Sequence, residues 1–452
     1  MLEAGDRTLN DMRVGVAFAG DAEDPTARSG TPFGVLSAIR ELGLSAVALK
    51  AAPPTNIDRA VAAVDAVAHL ASRRSIPSAA QARETYSGAH LAKLTAKVRG
   101  SVLARRRELE EIDAIVALGT GYDIPAGIPY VVYDDMTVQQ AVAMEYPVWM
   151  AMRESDRAFR VEQQRRIYLG AQMCCMTTTW AAESVIRDYG VPSSRVVVVG
   201  AGTHEKVRTV ERDWSVPRFL FIGLDWNRKN GARVLAAFAS LRERIPEATL
   251  DVVGGHPPIE QDGVTTHGRL YRNDASDLAR LQKLYDRATC FAMPSVHEPG
   301  GVVFVEAAAV GVGSIAGNRG GSADFVGDAG LIVDPFDDGA IFDAMVSMAD
   351  PATARSCGQR ASVRAAMFTW PQVAGRILAA LHPEIDLPIV VSPWVVAAQP
   401  RFRRTEHHEY VDPVRVHRRC RRRVGGDGDL QRRRMDQEGA VRVTERRYAQ
   451  FH

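Results

Sequence analysis

The chain has 452 residues, of which 46% are hydrophobic and 24% charged, and its net charge is only +2. At roughly 150 residues per domain this length allows about three units, with enough apolar material for sizeable cores. No apolar run approaches the roughly 20 residues of a membrane helix, and the polar start at residues 1–10 lacks the apolar segment of a secretory signal, so a cytoplasmic protein is expected.

Residues 14–20 form a short apolar run that reads as a buried strand. A loop with Ser29-Gly30-Thr31-Pro32 follows. Residues 33–43 then place Val35, Leu36, Ile39 and Leu42 at helical spacing. Pro32 near the start and Gly43 at the end are the usual helix punctuation. Residues 45–49 return to strand character and complete one βαβ unit. Residues 53–110 are rich in alanine and arginine and read as helical. Strand-like runs resume at 113–118, 129–133, 173–178 and 195–199, with a helix over 180–189 closed by Gly190 and Pro192. Cys174 and Cys175 lie in one of these runs. With Cys290, Cys357 and Cys420 they make an odd count of five, without zinc-knuckle or CxxC spacing. Small core residues in a reduced compartment are expected, and no metal site.

A second unit begins near Val216. Strands are expected at 218–223, 250–253, 290–293, 313–316 and 330–333, and helices at 232–244, 277–288 and 302–310. Asp337-Asp338 before Gly339 reads as a helix cap. Alternating strands and helices argue for parallel sheets covered on both faces. Two such units in series predict an α/β protein of two Rossmann-like, doubly wound domains facing a cleft, with ligands beyond the carboxyl ends of the strands. The helix over 370–381 is the last element placed in the fold. From Arg401 onward there are 15 arginines, no lysine and 8 acids, so this stretch carries +7 and the rest of the chain −5. An Arg-rich tail over 383–452 is expected to be a disordered or non-native extension; a nucleic-acid-binding or membrane-binding role is the weaker reading.

The chemistry concentrates in Pro294-Ser-Val-His-Glu298-Pro-Gly300-Gly301-Val-Val-Phe-Val-Glu306. Here a loop after a strand ends in two glycines that open a helix. Glycines permit close approach, and the first-turn N–H groups carry the positive end of the helix dipole, which suits a diphosphate. Glu298 can accept hydrogen bonds from sugar hydroxyls and Glu306 from a ribose, so one nucleotide-sugar spans the segment. Arg228 and Lys229, in Gly223-Leu-Asp225-Trp-Asn-Arg228-Lys229-Asn-Gly231, follow the first strand of the same unit. They offer the charge that a departing diphosphate needs. Ser29-Gly30-Thr31 is a small-residue loop able to close over the ligand from the first unit. His297 is given no role, because neighbouring side chains on an extended segment point opposite ways.

These stretches resemble the retaining, two-domain (GT-B fold) glycosyltransferases of group 1, related to glycogen synthase and bacterial α-mannosyltransferases. The resemblance is strongest at Glu298-x7-Glu306 and at Gly223-x-Asp-x-x-Arg-Lys-x-Gly231, and extends to Asn318-Arg-Gly320-Gly321, Gly330-Leu-Ile-Val-Asp334-Pro and Phe368-Thr-Trp370. It implies an acceptor domain over 1–213, a nucleotide-sugar donor domain over 214–368, and a helix over 369–382 that crosses back to the first. It implies that Glu298 contacts the donor sugar and Glu306 the ribose. Gly300, Gly301 and Val302 would give N–H groups to the phosphate, with Gly30 closing from the other side, and Lys229 with Arg228 would balance the leaving group. It further implies transfer to an acceptor hydroxyl with retention, no metal and no cofactor besides the donor. The acceptor stays open (a glycan, a lipid or a small molecule), and so does peripheral attachment to the inner face of the membrane; no nucleic-acid partner is expected.

Three departures from the family pattern stand out. Leu224 occupies a place where many relatives carry arginine, and Gly300-Gly301 replaces the usual Phe-Gly. The stretch Tyr133-Asp134-Asp135-Met-Thr137 holds no histidine where many relatives have one, and Asp135 is the candidate acceptor or sugar contact there. The competing readings are a catalytically degenerate binding or assembly protein, a nucleotide-sugar epimerase, and a glycoside hydrolase. Two carboxylates on one loop-helix segment fit the last poorly, since a hydrolase needs them flanking one bond.

Overall fold

The computed structural model describes residues 12–53 and 92–382. The expectations of helix over 54–91 and of disorder over 383–452 lie outside the described residues. Both sheets belong to one compact unit.

The first sheet contains β1 (Arg13–Phe18), β2 (Ser45–Lys50), β3 (Ala114–Leu118), β4 (Tyr130–Asp134), β5 (Met173–Met176) and β6 (Val196–Val198). They lie in the order β2-β1-β3-β4-β5-β6, and every pairing is parallel. Helices cover both faces, so a central strand has no polar side to show. All of β3 is accordingly buried. Helix α1 (Thr31–Glu41) connects β1 to β2, and α2 (Ala92–Ala104) precedes β3. Between β4 and β5 lie α3 (Val138–Ala143), α4 (Pro147–Ala151) and α5 (Glu154–Gly170), none of which the sequence reading placed. The inner face of α5 includes Gln163 and Gln164 beside Ile167 and Tyr168. Gln164 is buried yet satisfied: its carbonyl accepts the Val138 N–H at 2.7 Å and its amide donates to Thr120 Oγ1 at 3.0 Å. A glutamine-lined face leaves no apolar period to read. Helix α6 (Thr179–Tyr189) has its cap at Thr178, which accepts the Ala181 N–H, and ends at left-handed Gly190.

The second sheet contains β7 (Arg218–Gly223), β8 (Thr249–Gly254), β9 (Val264–Thr266), β10 (Cys290–Met293), β11 (Gly313–Gly317) and β12 (Gly330–Val333), all parallel, in the order β12-β11-β10-β7-β8-β9. Helices α7 (Gly231–Arg244), α8 (Ala275–Arg287), α9 (Val302–Ala309), α10 (Ser322–Val326), α11 (Asp338–Ala349) and α12 (Pro351–Ala365) surround it. Asp337 caps α11 by accepting the Ala340 N–H at 2.9 Å. Strand order reverses between β7 and β10, the place where such sheets open a crevice for ligands.

Helix α13 (Trp370–Leu381) leaves the second sheet and buries Trp370, Val373, Ile377 and Leu378 in the first core, against Val14, Val35, Leu36 and Ile39. The Trp370 ring fills space that Gly34 and Gly202 leave empty; a Cβ on either glycine would run into it. A second tie between the halves is at α6, where the Thr179 hydroxyl donates to Asp324 on α10 at 2.8 Å.

Candidate active site

The turn after β7 sets the first catalytic candidates. The Lys229 stem crosses Gly223, where a Cβ would come within 2.8 Å of Lys229 Cγ. Asn230 caps α7 in the left-handed region, at φ 65°. Its buried amide donates to the carbonyls of Pro294 at 3.0 Å and Pro335 at 2.7 Å, which stitches this turn to the loops after β10 and β12. The Val296 N–H donates to the Arg228 carbonyl at 2.8 Å and pins the same turn to the β10 loop.

That β10 loop presents Glu298. Its N–H donates to the Arg319 carbonyl at 3.0 Å, and its carbonyl accepts the Gly321 N–H at 2.9 Å. Gly320, at φ 113°, lies so close beneath the Glu298 carbonyl that no side chain fits there. The Glu298 carboxylate is 6% exposed. Its Oε2 accepts from Lys229 Nζ and from Arg228 Nη1, the latter at 3.3 Å. Burial alone would raise the Glu298 carboxyl, but the two cations outweigh it and hold it below the ordinary carboxylate range. The carboxylate is therefore charged at neutral pH. Gly301 then turns into the left-handed region, at φ 87°, to cap α9. The Val302 and Val303 amides that begin α9 have no acceptor within the helix, and both residues line the cleft, while the Phe304 N–H donates to the Gly301 carbonyl at 3.0 Å.

Glu306, one turn along α9, is 4% exposed and already held on both oxygens. The Tyr285 hydroxyl donates to Oε2 at 2.8 Å, and Arg272 forms an ion pair with Oε1. Sequence reasoning placed neither partner. Arg272 sits on the loop between β9 and α8, far along the chain and without a pattern of its own.

The first sheet answers with a strained turn. Arg28, Ser29 and Gly30 take φ of 47°, 56° and 78°, so two residues other than glycine occupy the left-handed region. Arg28 holds it: Nη2 donates to Asp135 Oδ1 at 2.8 Å and to Asp134 Oδ1 at 3.2 Å. His204 Nε2 lies 3.0 Å from the Gly30 carbonyl. Gly30 itself is buried, while its neighbours Ser29 and Thr31 line the cleft.

Between the sheets lies a cleft of about 510 Å³. It gathers Arg228, Lys229, Glu298, Gly300, Gly301, Val302 and Glu306 from the second sheet with Asp135 from the first. Leu224 is exposed on its wall, and Arg28, Asp134 and Tyr146 join from the first half. His297 does not line it; its ring lies 4.7 Å from that of Tyr146. Among the described residues no group of three or more His, Cys, Asp and Glu could hold a metal ion, and no helix is long and apolar enough to cross a membrane.

Asp134 brings a pH dependence. Burial, reinforced by Asp135 and opposed by Arg28, pushes its carboxyl up to about 6. Its folded pKa exceeds the unfolded value. Its contribution to stability is therefore full at low pH and lost as the pH rises through about 6. Activity should run the other way, because the ionised carboxylate is the form that holds Arg28. An acid limb in the rate near pH 6 is expected, and Asp134→Asn should remove it. A limb unchanged in that variant would rule Asp134 out as its source.

Residues 216–350 match the family model for glycosyl transferases group 1. This stretch carries the β7 and β10 loops. Mannosylfructose-phosphate synthase of Agrobacterium fabrum is 26% identical over 271 residues, 52% of this chain and 59% of that protein. The GDP-mannose-dependent alpha-(1-6)-phosphatidylinositol monomannoside mannosyltransferase of Mycolicibacterium smegmatis is 33% identical over 148 residues, 29% of this chain and 38% of that protein. Both matches span less than two thirds of the relative's own length. The sucrose-phosphate synthase structure from Thermosynechococcus elongatus superposes with a TM-score of 0.54 at 20% identity, covering 81% of this chain and 97% of that one. The fold they share is GT-B, two parallel α/β sheets on either side of a cleft.

Proposed function

We propose that this protein transfers a sugar from a nucleotide-sugar, bound against the second sheet, to an acceptor hydroxyl presented by the first sheet, with retention at the anomeric carbon. The observation that carries the reading is the Lys229–Glu298–Arg228 cluster at the β7/β10 switch point, beside the open amides of α9. An ammonium has three donors, and only one of those on Lys229 is taken by Glu298, so the others are available to a phosphate. A carboxylate has about four acceptor positions, so Glu298 and Glu306 retain room for hydroxyls of the sugar and the ribose. As the bond from the anomeric carbon to the phosphate oxygen breaks, negative charge grows on the diphosphate. Lys229, Arg228 and the α9 dipole meet it without reorganising. The acceptor oxygen attacks from the same face, and its proton passes to the departing phosphate oxygen. Gly300, Gly301 and Val302 supply the phosphate cradle, and Gly30 shapes the turn that faces it. Asp135 lies on the acceptor side. The names of the two curated relatives, a sugar-phosphate synthase and a GDP-mannose-dependent mannosyltransferase, support the same class of reaction.

The test is a thermal-shift screen against UDP-, GDP- and ADP-sugars. At a hundredfold excess over Kd, one donor should stabilise the wild type by about 2.7 kcal/mol. Glu306→Ala should weaken that donor roughly tenfold or more through the lost ribose bonds. The anomer formed, read by NMR, should match the donor's. A chain that no nucleotide-sugar stabilises is not this enzyme, and one that binds a donor but turns nothing over is the degenerate binding protein instead.

A further inference from the structure

One hydroxyl in the cleft has no use within the protein. Thr177 follows β5, is 4% exposed and lines the cleft. Its Oγ1 is buried, and among the described residues it has no hydrogen-bond partner. The next residue shows the ordinary case: Thr178 Oγ1 accepts the Ala181 N–H at 3.2 Å and caps α6. A buried hydroxyl without a partner is costly and rare in native proteins. Two contacts fix where this one sits. The Thr177 N–H donates to the Asp134 carbonyl at 3.0 Å, which sets the residue beside Asp134 and Asp135. On the other side Thr178 packs directly on Gly321, where a Cβ would run into its side chain. The Gly321 N–H donates in turn to the Glu298 carbonyl at 2.9 Å. Thr177 therefore stands between the turn of Asp135 and the loop of Glu298, and it shares the cleft wall with Pro299 and Gly300. In a transfer from the second sheet to the first, the group that must meet both of these places is the sugar that moves.

We propose that Thr177 determines specificity for the donor sugar: its hydroxyl pairs with one hydroxyl of the hexose being transferred and so selects the configuration at that carbon. This rests on the transferase reading. A threonine hydroxyl has one donor and two acceptor positions, so it can both give to a sugar hydroxyl and receive from it. Discrimination at such a contact is strong. A sugar that lacks the hydroxyl, or points it elsewhere, leaves the Thr177 oxygen buried and unpaired. The nucleoside diphosphate, held along α9, makes no use of it.

Calorimetry on the full chain tests it, with UDP, GDP and ADP and with glucose, galactose and mannose linked to each. The wild type should bind one of these nucleotide-sugars in preference to its epimers on the same nucleotide. Thr177→Val exchanges the hydroxyl for a methyl group. It should weaken that nucleotide-sugar by roughly 10- to 100-fold and shrink its preference over the epimers by the same factor, with the bare nucleoside diphosphate held within about twofold. Thr177→Ser keeps the hydroxyl and should keep the preference. Without ligand the valine variant should melt no lower than the wild type, because no internal bond is lost. Equal weakening of the nucleotide-sugar and its nucleoside diphosphate would mean that Thr177 only packs, and would overturn the proposal. A valine variant that ranks and binds the sugars as the wild type does would overturn it too, and would leave the transferase standing. A loss confined to the acceptor KM would overturn the assignment to the donor. A wild type that binds no nucleotide-sugar would sink the transferase reading itself.

Discussion

Replacing Lys229 by alanine is expected to lower kcat/KM by about 10²- to 10³-fold, with most of the loss in kcat. The ammonium is buried against Glu298 at the carboxyl edge of β7, where the diphosphate is proposed to leave. A cation there is worth far more than one in water, because little solvent screens it and its position is preset. Arg228, at 3.3 Å from Glu298, keeps one charge beside the carboxylate in the variant, so the site should stay folded. Lys229→Arg should not rescue the rate. The lysine stem runs directly across Gly223, and a planar fork needs width that this crossing lacks. Steady-state kinetics with the donor found in the thermal screen decides the matter. A rise in KM with kcat unchanged would mean that Lys229 binds donor and transition state alike, and would remove it from the chemistry.

Trp370→Ala should cost about 3–5 kcal/mol of stability and weaken the cleft as well. The ring, 5% exposed, plugs the first core from a helix that begins beyond the second sheet. Neither Gly34 nor Gly202 has a side chain to move into the space, so the cavity would persist. The loss should also reach the substrate. Trp370 Nε1 lies 3.3 Å from His204 Nε2, and the same nitrogen lies 3.0 Å from the Gly30 carbonyl. An Nε2–H donating to that carbonyl leaves the tryptophan contact as packing, and burial keeps the imidazole neutral by lowering its pKa. Losing the ring frees His204, and with it the strained turn of Arg28, Ser29 and Gly30. Calorimetry should show the lower melting temperature, and acceptor KM should rise in parallel. A variant that melts with the wild type would show that α13 does not hold the halves together.

Local signals were enough for much of this. Helix starts and ends stood out where Pro32, Gly190 and Asp337 punctuate them, because capping depends on residues within a few positions. Glu298, Gly300, Gly301 and Glu306 could be picked out as candidates that share one cleft because one loop and one helix turn carry them all. The helices over 138–170 were not, because their packing relies on Gln140, Gln163 and Gln164 bonded inward rather than on apolar spacing.

Read alone, the residues define the class of fold and the segment from Glu298 to Glu306 as a candidate donor site, since alternation, glycine placement and the Glu-x7-Glu spacing are short-range properties. Only the tertiary structure decided who the partners are. Arg272 reaches Glu306 across 34 positions, and Arg28 reaches Asp135 across 107. Charges of this kind are paired by where parallel strands end in space, and strand order, set by burying two sheets under helices, is not written at any one position of the chain.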